Sequence, residues 1–191
     1  MAGNKVQFGL KKLYYATITD SGTALAYGTP VALPGAVSMT AAPTGESEEF
    51  EADDIIYYRS GGAKGYDISV ELAYLPEAFY TEVLGSASDT NNVQMENDAD
   101  TIKSIALLGQ FDGDAHKRLW VFYNCTPERP EFAGETARSK TPKTITIKMA
   151  STADPYTGNV KAVTTATTTS TVTNDWYTGV YTGATECQKW N

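Results

Sequence analysis

Few side chains of this 191-residue sequence have the type and spacing that catalysis requires. The only histidine, His116, follows an Asp-Gly-Asp turn and could act as a general base with Asp112 or Asp114. General-base chemistry needs an oriented partner and a shielded pocket. A histidine at a hairpin tip is exposed, and no serine or cysteine stands beside it in a nucleophile setting. We therefore predict no catalytic residue and interpret this segment as a polar turn.

Two other clusters contain residue types that occur in ligand sites. Six acids lie close together, but they lack the ligand spacing and the central glycine of an EF-hand calcium loop. Residues 60–65 place glycines beside a lysine, yet they lack the full phosphate-loop pattern and precede a predicted strand, whereas that loop opens a helix. We predict no metal, no cofactor and no enzymatic activity. The six acids are Glu46, Glu48, Glu49, Glu51, Asp53 and Asp54.

Charge and cysteine content restrict the possible partners. A formal net charge of −8 argues against gripping nucleic acid, because phosphates are held mainly by Lys and Arg. Cys125 and Cys187 are too few for a disulfide framework, and we predict two free thiols in a reducing compartment. The N-terminus does not lead into a signal peptide, and no apolar run approaches the ~18 residues of a membrane span. We expect a protein that is cytosolic where it is made and has no membrane contact.

Side-chain patterns predict a mainly β protein, since Thr, Tyr, Val and Ile recur throughout and suit a pleated sheet. Residues 10–19 are predicted as a strand. Residues 31–41 are extended, with an interruption at Pro34-Gly35 that marks two short pieces or a bent edge strand. Residues 143–150 are a strand whose apolar face holds Ile145, Ile147 and Met149.

Residues 66–84 are predicted as a strand followed by a helix, the one helix that the sequence predicts. Residues 66–74 alternate apolar and polar side chains, which indicates a strand with one buried face. Residues 75–84 follow as a short helix with Pro76 at its first helical position and Gly85 at its left-handed C-terminal position. The residues predicted to face the core are Ile68, Val70, Leu72 and Tyr74 in the strand and Leu75, Phe79 and Val83 in the helix.

The clearest hairpin joins IALLGQF to RLWVFYNC through Asp112-Gly113-Asp114, with apolar residues on both faces of each strand, so both faces should be covered. Residues 86–103 and 126–142 are predicted loops. The Thr-rich stretch 162–173 suits either a strand or a flexible connector, and we favour the extended form. We assign Trp120 to the core, and Trp176 either to packing of a last strand or to a neighbouring molecule.

Residues 42–65 are too long for a plain connection, since most loops have ~4–6 residues. They contain acids, then the apolar run Ile-Ile-Tyr-Tyr, then glycines. We interpret them as a long projecting hairpin or arm, because these acids cannot all lie in a core. The chain is otherwise predicted as one domain, residues 1–181, with a loose tail at 182–191.

This order of elements resembles the major tail proteins, or tail tube proteins, of long-tailed phages of Gram-positive bacteria. The shared features are LKKLYYATIT, the "DD…YY" end of the arm, ISVELAYLP before a helix, the central hairpin, a late TITI strand, and a closing Trp-aromatic-x-x-Val at 176–180. Together they cover residues 8–181. The Thr-rich stretch and the chain after Tyr181 depart from the family's pattern.

The resemblance implies a β-sandwich or barrel of the tail-tube type with one flanking helix. It implies six-membered rings that stack into a hollow tube, through which phage DNA passes without specific binding. Its implied partners are other copies of the chain, a tape measure protein and tail terminator or initiator proteins. Its implied location is the virion tail, after assembly in the host cytoplasm.

A long arm with both acids and an apolar patch leads to a hypothesis of self-assembly. The alternative is a secreted or surface β-sandwich that binds carbohydrate or acts as an adhesin, which the absence of a secretion signal disfavours. The hypothesis assigns inter-subunit contacts to Glu46, Glu48, Glu49, Phe50, Glu51, Asp53, Asp54, Ile55, Ile56, Tyr57 and Tyr58.

Overall fold

A computed structural model describes residues 9–45, 48–52, 55–60, 64–113, 116–134 and 143–183, with the backbone alone described for 48–52 and 55–60. The fold is mainly β, as predicted, and its strand pairs are antiparallel. The strands are β1 Leu10–Asp20, β2 Leu25–Tyr27, β3 Val31–Ala32, β4 Ala36–Thr44, β5 Glu48–Ala52, β6 Ile55–Ser60, β7 Gly65–Leu72, β8 Ala87–Ser88, β9 Gln94–Met95, β10 Ile105–Phe111, β11 Leu119–Pro127, β12 Ile145–Thr152 and β13 Lys161–Val163. The helices are α1 Glu77–Glu82 and α2 Ser170–Asp175.

One large sheet organises the fold, with the strand order β2-β1-β10-β11-β12-β7-β4. Strand β3 adds to β1, and β13 adds to the first half of β11. The second half of β11 pairs with β12, so two strands share that edge of β11. Strands β5 and β6 form a separate two-stranded sheet, and so do β8 and β9.

The inner core lies on one face of this sheet, which curls around it. Strands from both ends of the order contribute, and α1 closes the core through Phe79, which is fully buried. The ring of Tyr15 meets Phe79 edge-on at 5.1 Å. The large side chains of the inner core are Leu13, Tyr15, Leu33, Ile68, Val70, Leu72, Leu75, Phe79, Val83, Leu84, Ile105, Leu107, Trp120, Phe122, Ile147 and Met149.

A second apolar cluster lies on the opposite face of β1, β10 and β11. Alternate residues of β10 enter the two cores, because successive side chains of a strand point to opposite faces. Thus Leu107 packs in the inner core and Leu108 in the outer cluster. The prediction that both faces of the central hairpin are covered is confirmed.

The outer cluster is covered by the C-terminal segment, and here one prediction is wrong. The Thr-rich stretch is extended only at β13, and residues 170–175 form α2, a second helix. Trp176 follows α2, is 2% exposed and stacks on Tyr181 at 5.7 Å. Burial of Trp176, with Val172 packed against the same cluster, outweighs the weak helix propensity of threonine.

The predicted strand and helix around residue 75 are confirmed, with one exception. The side chains of Ile68, Val70 and Leu72 are buried as expected, but that of Tyr74 is 55% exposed. Strand β7 ends at Leu72, so the alternation stops before Tyr74, as the chain turns toward α1.

The predicted left-handed conformation of Gly85, with φ +82°, is confirmed. The position of Pro76 is one residue off: it is the N-cap that precedes α1, with an extended ψ of 143°, and Glu77 is the first helical residue.

The interruption at Pro34-Gly35 is also confirmed. Gly35, with φ +81°, turns the chain between β3 and β4, so the two strands pair with different neighbours. Strand β3 joins β1, and β4 joins β7. No helix in the described part of the chain has the length and apolarity to cross a membrane.

Candidate assembly surface

The large sheet has one half that is covered on both faces and one half that is covered only inside. Strands β12, β7 and β4 pack their inner side chains into the core, while the alternate side chains face outward and are exposed or half-buried. We call this exposed surface the bare face. Its residues are Ser38, Thr40, Ala42, Asp67, Ser69, Glu71, Thr146, Lys148, Ala150 and Thr152.

Small and polar side chains make the bare face smooth and hydrophilic. Glu71 is its most ordered charge, because the hydroxyl of Thr144 donates to Oε1 at 2.5 Å and that of Ser38 to Oε2 at 2.8 Å. These hydrogen bonds, with that of Thr144 the larger influence, lower the pKa of the Glu71 carboxyl. The carboxylate is therefore ionised at neutral pH.

A shallow cleft of about 400 Å³ crosses the bare face. Asp67, Glu128 and Lys148 bring charge to it, and the rest of its lining is Thr40, Ala42, Ile68, Ser69, Met149 and Ala150. Its open shape and its mixture of charged and small side chains suit contact with a large polar surface.

Strand β4 forms the edge of this half, and an edge strand was one of the two alternatives that the sequence left open for residues 31–41. Among the described residues its only pairing partner is β7, which leaves its other edge open. An open edge presents unpaired backbone groups and is a template for another chain. Natural edges are usually guarded by lysine, proline or short length, yet β4 has nine residues, no charged side chain and only Pro43 as a guard.

A sequence signal for this edge exists, because residues 21–45 contain no charged side chain. A strand inside such a segment has no lysine with which to repel a second strand. The period-two pattern alone could not reveal it, since the pattern does not say which strand lies last in a sheet.

The predicted arm contains the hairpin β5–β6, whose backbones pair from Glu48↔Ser60 to Ala52↔Ile55. Strand β4 extends to Thr44 and β7 begins at Gly65, so residues 42–44 belong to the large sheet and not to the arm. Of the predicted contact residues, Glu46, Asp53 and Asp54 lie outside the described residues. The others lie in β5 and β6, whose side chains are not described, so their role stays a prediction.

The other residues singled out in the sequence lie in the central hairpin or outside the described residues. His116 is exposed in the turn between β10 and β11, and Trp120 is 2% exposed in the core, both as predicted. Cys125 is a buried free thiol whose pKa is raised to about 12 by burial, and Cys187 lies outside the described residues, as do Gly61–Ala63. Within the described part of the chain, no three His, Cys, Asp or Glu side chains are grouped to hold a metal ion.

No family model matches the chain, and no curated protein matches it. Among solved structures it is similar to a chain of an extracellular contractile injection system, the PVC sheath-tube complex in the extended state. That chain has a TM-score of 0.48 and 11% identity, over 84% of this chain and 93% of that one.

Two chains of the anti-feeding prophage are similar to the same degree. One, from its tube-terminating cap, has a TM-score of 0.45 and 10% identity over 85% of this chain and 95% of that one. The other, from its baseplate, has a TM-score of 0.48 and 8% identity over 87% of this chain and 99% of that one. Likenesses this distant identify neither a family nor a function.

Proposed function

We propose that this chain is a structural protein of a phage tail that assembles with copies of itself into rings, which stack as the hollow tail tube. The rings have six members, and phage DNA passes through the tube without specific binding. The tube contacts a tape measure protein inside and terminator or initiator proteins at its ends. This function is the one that the sequence resemblance implies.

The open edge of β4 is the observation that carries this proposal. A nine-residue edge without charge can extend its sheet with a strand of a second copy. Repetition of one head-to-tail contact by a rotation that closes gives a ring. Pairing in a ring covers an edge that would otherwise promote aggregation.

The bare face gives the ring a candidate inner wall. Joining of sheets through β4 would make the bare faces of successive copies continuous. Small side chains leave such a wall smooth. Its two carboxylates, Asp67 and Glu71, outnumber its one ammonium group, Lys148, so each copy contributes a net negative charge. Over the screening length of ~8 Å at physiological salt, a wall with this balance repels phosphates and lets DNA slide.

The experiment is negative-stain electron microscopy with sedimentation velocity at rising protein concentration. It compares the wild type with a variant in which Thr40→Lys and Ala42→Lys place guards on the β4 edge. Both positions are exposed, so we expect the free energy of unfolding to stay within about 0.5 kcal/mol. The wild type should form rings or tubes, and the edge variant should remain monomeric.

A matched control carries Thr146→Lys and Ala150→Lys, which add the same charge to the same face on the interior strand β12. We expect this control to assemble. A wild type that stays a 20.6 kDa monomer, or an edge variant that forms normal tubes, would contradict the proposal. A monomer that binds glycans would favour the alternative of a surface binding module.

A further inference from the structure

The C-terminal segment that covers the outer cluster is held to the sheet by few side chains. We call residues 165–183 the strap. All of its residues are described, and among them only Trp176 is buried, while most of the others are exposed. The strap is therefore a thin cover over one face of β1, β10 and β11. The sheet residues beneath it are Ala16, Ala106, Leu108, Leu119, Val121 and Tyr123.

The strap begins at a firm attachment that is followed by an exposed link. The attachment is Thr164, whose N–H donates to the carbonyl of Leu119 at 2.9 Å and whose Oγ1 accepts from the N–H of Leu119 at 2.9 Å. Of residues 165–169, which follow, all but Thr168 are exposed. An open cleft of about 140 Å³ separates this link from Trp176 and Tyr181. Residues 165–169 can therefore act as a hinge without any change in the pairing of β13.

Tyr177 joins the strap to β1. The centre of its ring lies 4.5 Å from that of Tyr14 and 5.7 Å from the ammonium group of Lys12. Lys12 lies in a bulge of β1 and has a left-handed φ of +51°, a conformation that persists only where the surrounding packing enforces it. Tyr177 is part of that packing, so closure of the strap and the shape of the bulge support each other.

Polar groups of the strap oppose its closure. The indole N–H of Trp176 and the hydroxyl of Tyr177 are buried without a hydrogen-bond partner among the described residues. Both groups gain water as a partner when the strap opens, so burying them costs free energy. The Tyr123 hydroxyl favours closure, because it donates to the carbonyl of Tyr181 at 2.6 Å. Closure is therefore a small difference between apolar burial and two desolvated polar groups.

We propose that the strap opens as a unit from a sheet that stays folded, with residues 165–169 as its hinge and Tyr177 as its catch. The inner core persists in the open form, because it is built from residues 10–149. Opening uncovers the apolar face of β1, β10 and β11. The motion belongs to a single chain, so it is expected of the monomer whether or not the protein forms tubes.

Thiol labelling of the folded, full-length monomer measures how often the outer cluster is uncovered. Val121→Cys places a thiol of similar volume at a fully buried position beneath the strap, and Cys187→Ser removes the thiol of the tail. Cys125, which is buried in the inner core of the same molecule, reports global unfolding. We expect an aromatic disulfide reagent to label position 121 at least about 100-fold faster than Cys125. Equal rates would overturn the inference, since the strap would then open only with the whole fold.

Hydrogen exchange, read by mass spectrometry, tests the balance of polar groups through two variants that each lose one tyrosine hydroxyl. Tyr177→Phe removes a hydroxyl without a partner among the described residues, so protection of residues 170–181 should rise about fivefold. Tyr123→Phe removes the hydroxyl that holds Tyr181, so the same protection should fall about fivefold. A shift in the same direction in both variants would overturn the proposed balance.

A second pair of variants tests the catch on β1. Lys12→Met keeps the aliphatic chain and removes the charge near the Tyr177 ring, so protection of residues 170–181 should fall about two- to fivefold. Lys11→Met removes the neighbouring charge, which is instead paired with Asp112 at 2.6 Å, and should leave the strap unchanged. Equal protection of the strap in these two variants would overturn the role of Tyr177 as the catch.

Discussion

Gly109 of β10 lies directly opposite Trp120 of β11, and the indole occupies the space that a side chain at position 109 would need. A Cβ there would overlap atoms of the six-membered ring of the indole. Trp120 in turn meets Phe122 edge-on at 5.7 Å inside the core. The smallest residue thus makes room for the largest one in the central hairpin.

The Gly109→Ala substitution should therefore destabilise the protein. Overpacking of a dense core costs about 1–3 kcal/mol, and we expect about 2 kcal/mol in urea unfolding, because Trp120 has no free volume to enter. Gly179→Ala is the control, since a Cβ at that position meets nothing within 4 Å. Equal midpoints for the two variants would contradict the packing described for Trp120.

The Tyr15 hydroxyl joins the sheet to α1, because it donates to Glu82 Oε2 at 3.1 Å. Tyr15→Phe keeps the ring contact with Phe79 and removes this hydrogen bond, so we expect a loss of about 1 kcal/mol in the free energy of unfolding. Tyr74→Phe, at a residue that is 55% exposed, should change it little. A loss of equal size at both positions would show that the hydrogen bond to Glu82 is not its cause.

Alkaline pH should unfold the protein through its buried tyrosines. Burial is the main influence that raises the pKa of the Tyr15, Tyr123 and Tyr177 hydroxyls, that of Tyr123 to about 12. The unfolded chain then releases protons near pH 10 while the folded chain retains them, so stability is complete below about pH 10 and falls above it.

Circular dichroism and tyrosinate absorbance, followed together from about pH 9 upward, check this expectation. The two signals should change in one step. In Tyr15→Phe the free energy of unfolding should fall less steeply with pH, because up to one proton fewer is released on unfolding. Smooth ionisation of all tyrosines with an unchanged dichroism spectrum would contradict the burial of these hydroxyls.

Removal of the arm should leave a folded chain that does not form tubes. Thr44 and Gly65 are paired neighbours, so replacing residues 46–64 with one asparagine leaves the two-residue turn Gly45-Asn, which suits a hairpin. We expect thermal unfolding close to that of the wild type, and no tubes in electron microscopy.

A narrower variant tests which part of the arm matters. Serine in place of Ile55, Ile56, Tyr57 and Tyr58 keeps the acids and the length but removes the apolar run. Wild-type-like tubes from the shortened chain would exclude the arm from assembly. Tubes from the serine variant alone would assign the contact to the acids.

Local patterns predicted the elements whose side chains obey one simple period. The alternation of Ile68, Val70 and Leu72 identified a strand with one buried face, and the doubly apolar β10 and β11 identified strands that are covered on both faces. The pattern failed at Tyr74, because a period cannot show where a chain leaves its sheet.

The form of the Thr-rich stretch, and the choice between the two alternatives for residues 31–41, could not be settled from the sequence for a different reason. Helix α2 owes its position to Trp176 and Val172, which pack on strands that lie far from them in the sequence. The status of β4 as an edge depends on which strands fail to reach it, and that is a property of the whole sheet. Local propensity contains neither fact.

The sharing of one edge of β11 between β12 and β13 has a consequence for biosynthesis. The first half of β11 pairs with residues 161–163 and its second half with residues 149–151. Strand β1 pairs with β10, which lies almost a hundred residues later in the chain. Sheets built from contacts of such high sequence separation fold slowly, since loop closure precedes any gain from pairing. A nascent chain on the ribosome therefore exposes β1 until β10 has been translated, and it exposes one edge of β7 and of β11 until β12 and β13 have followed. Premature pairing between neighbouring nascent chains is the hazard that this topology creates.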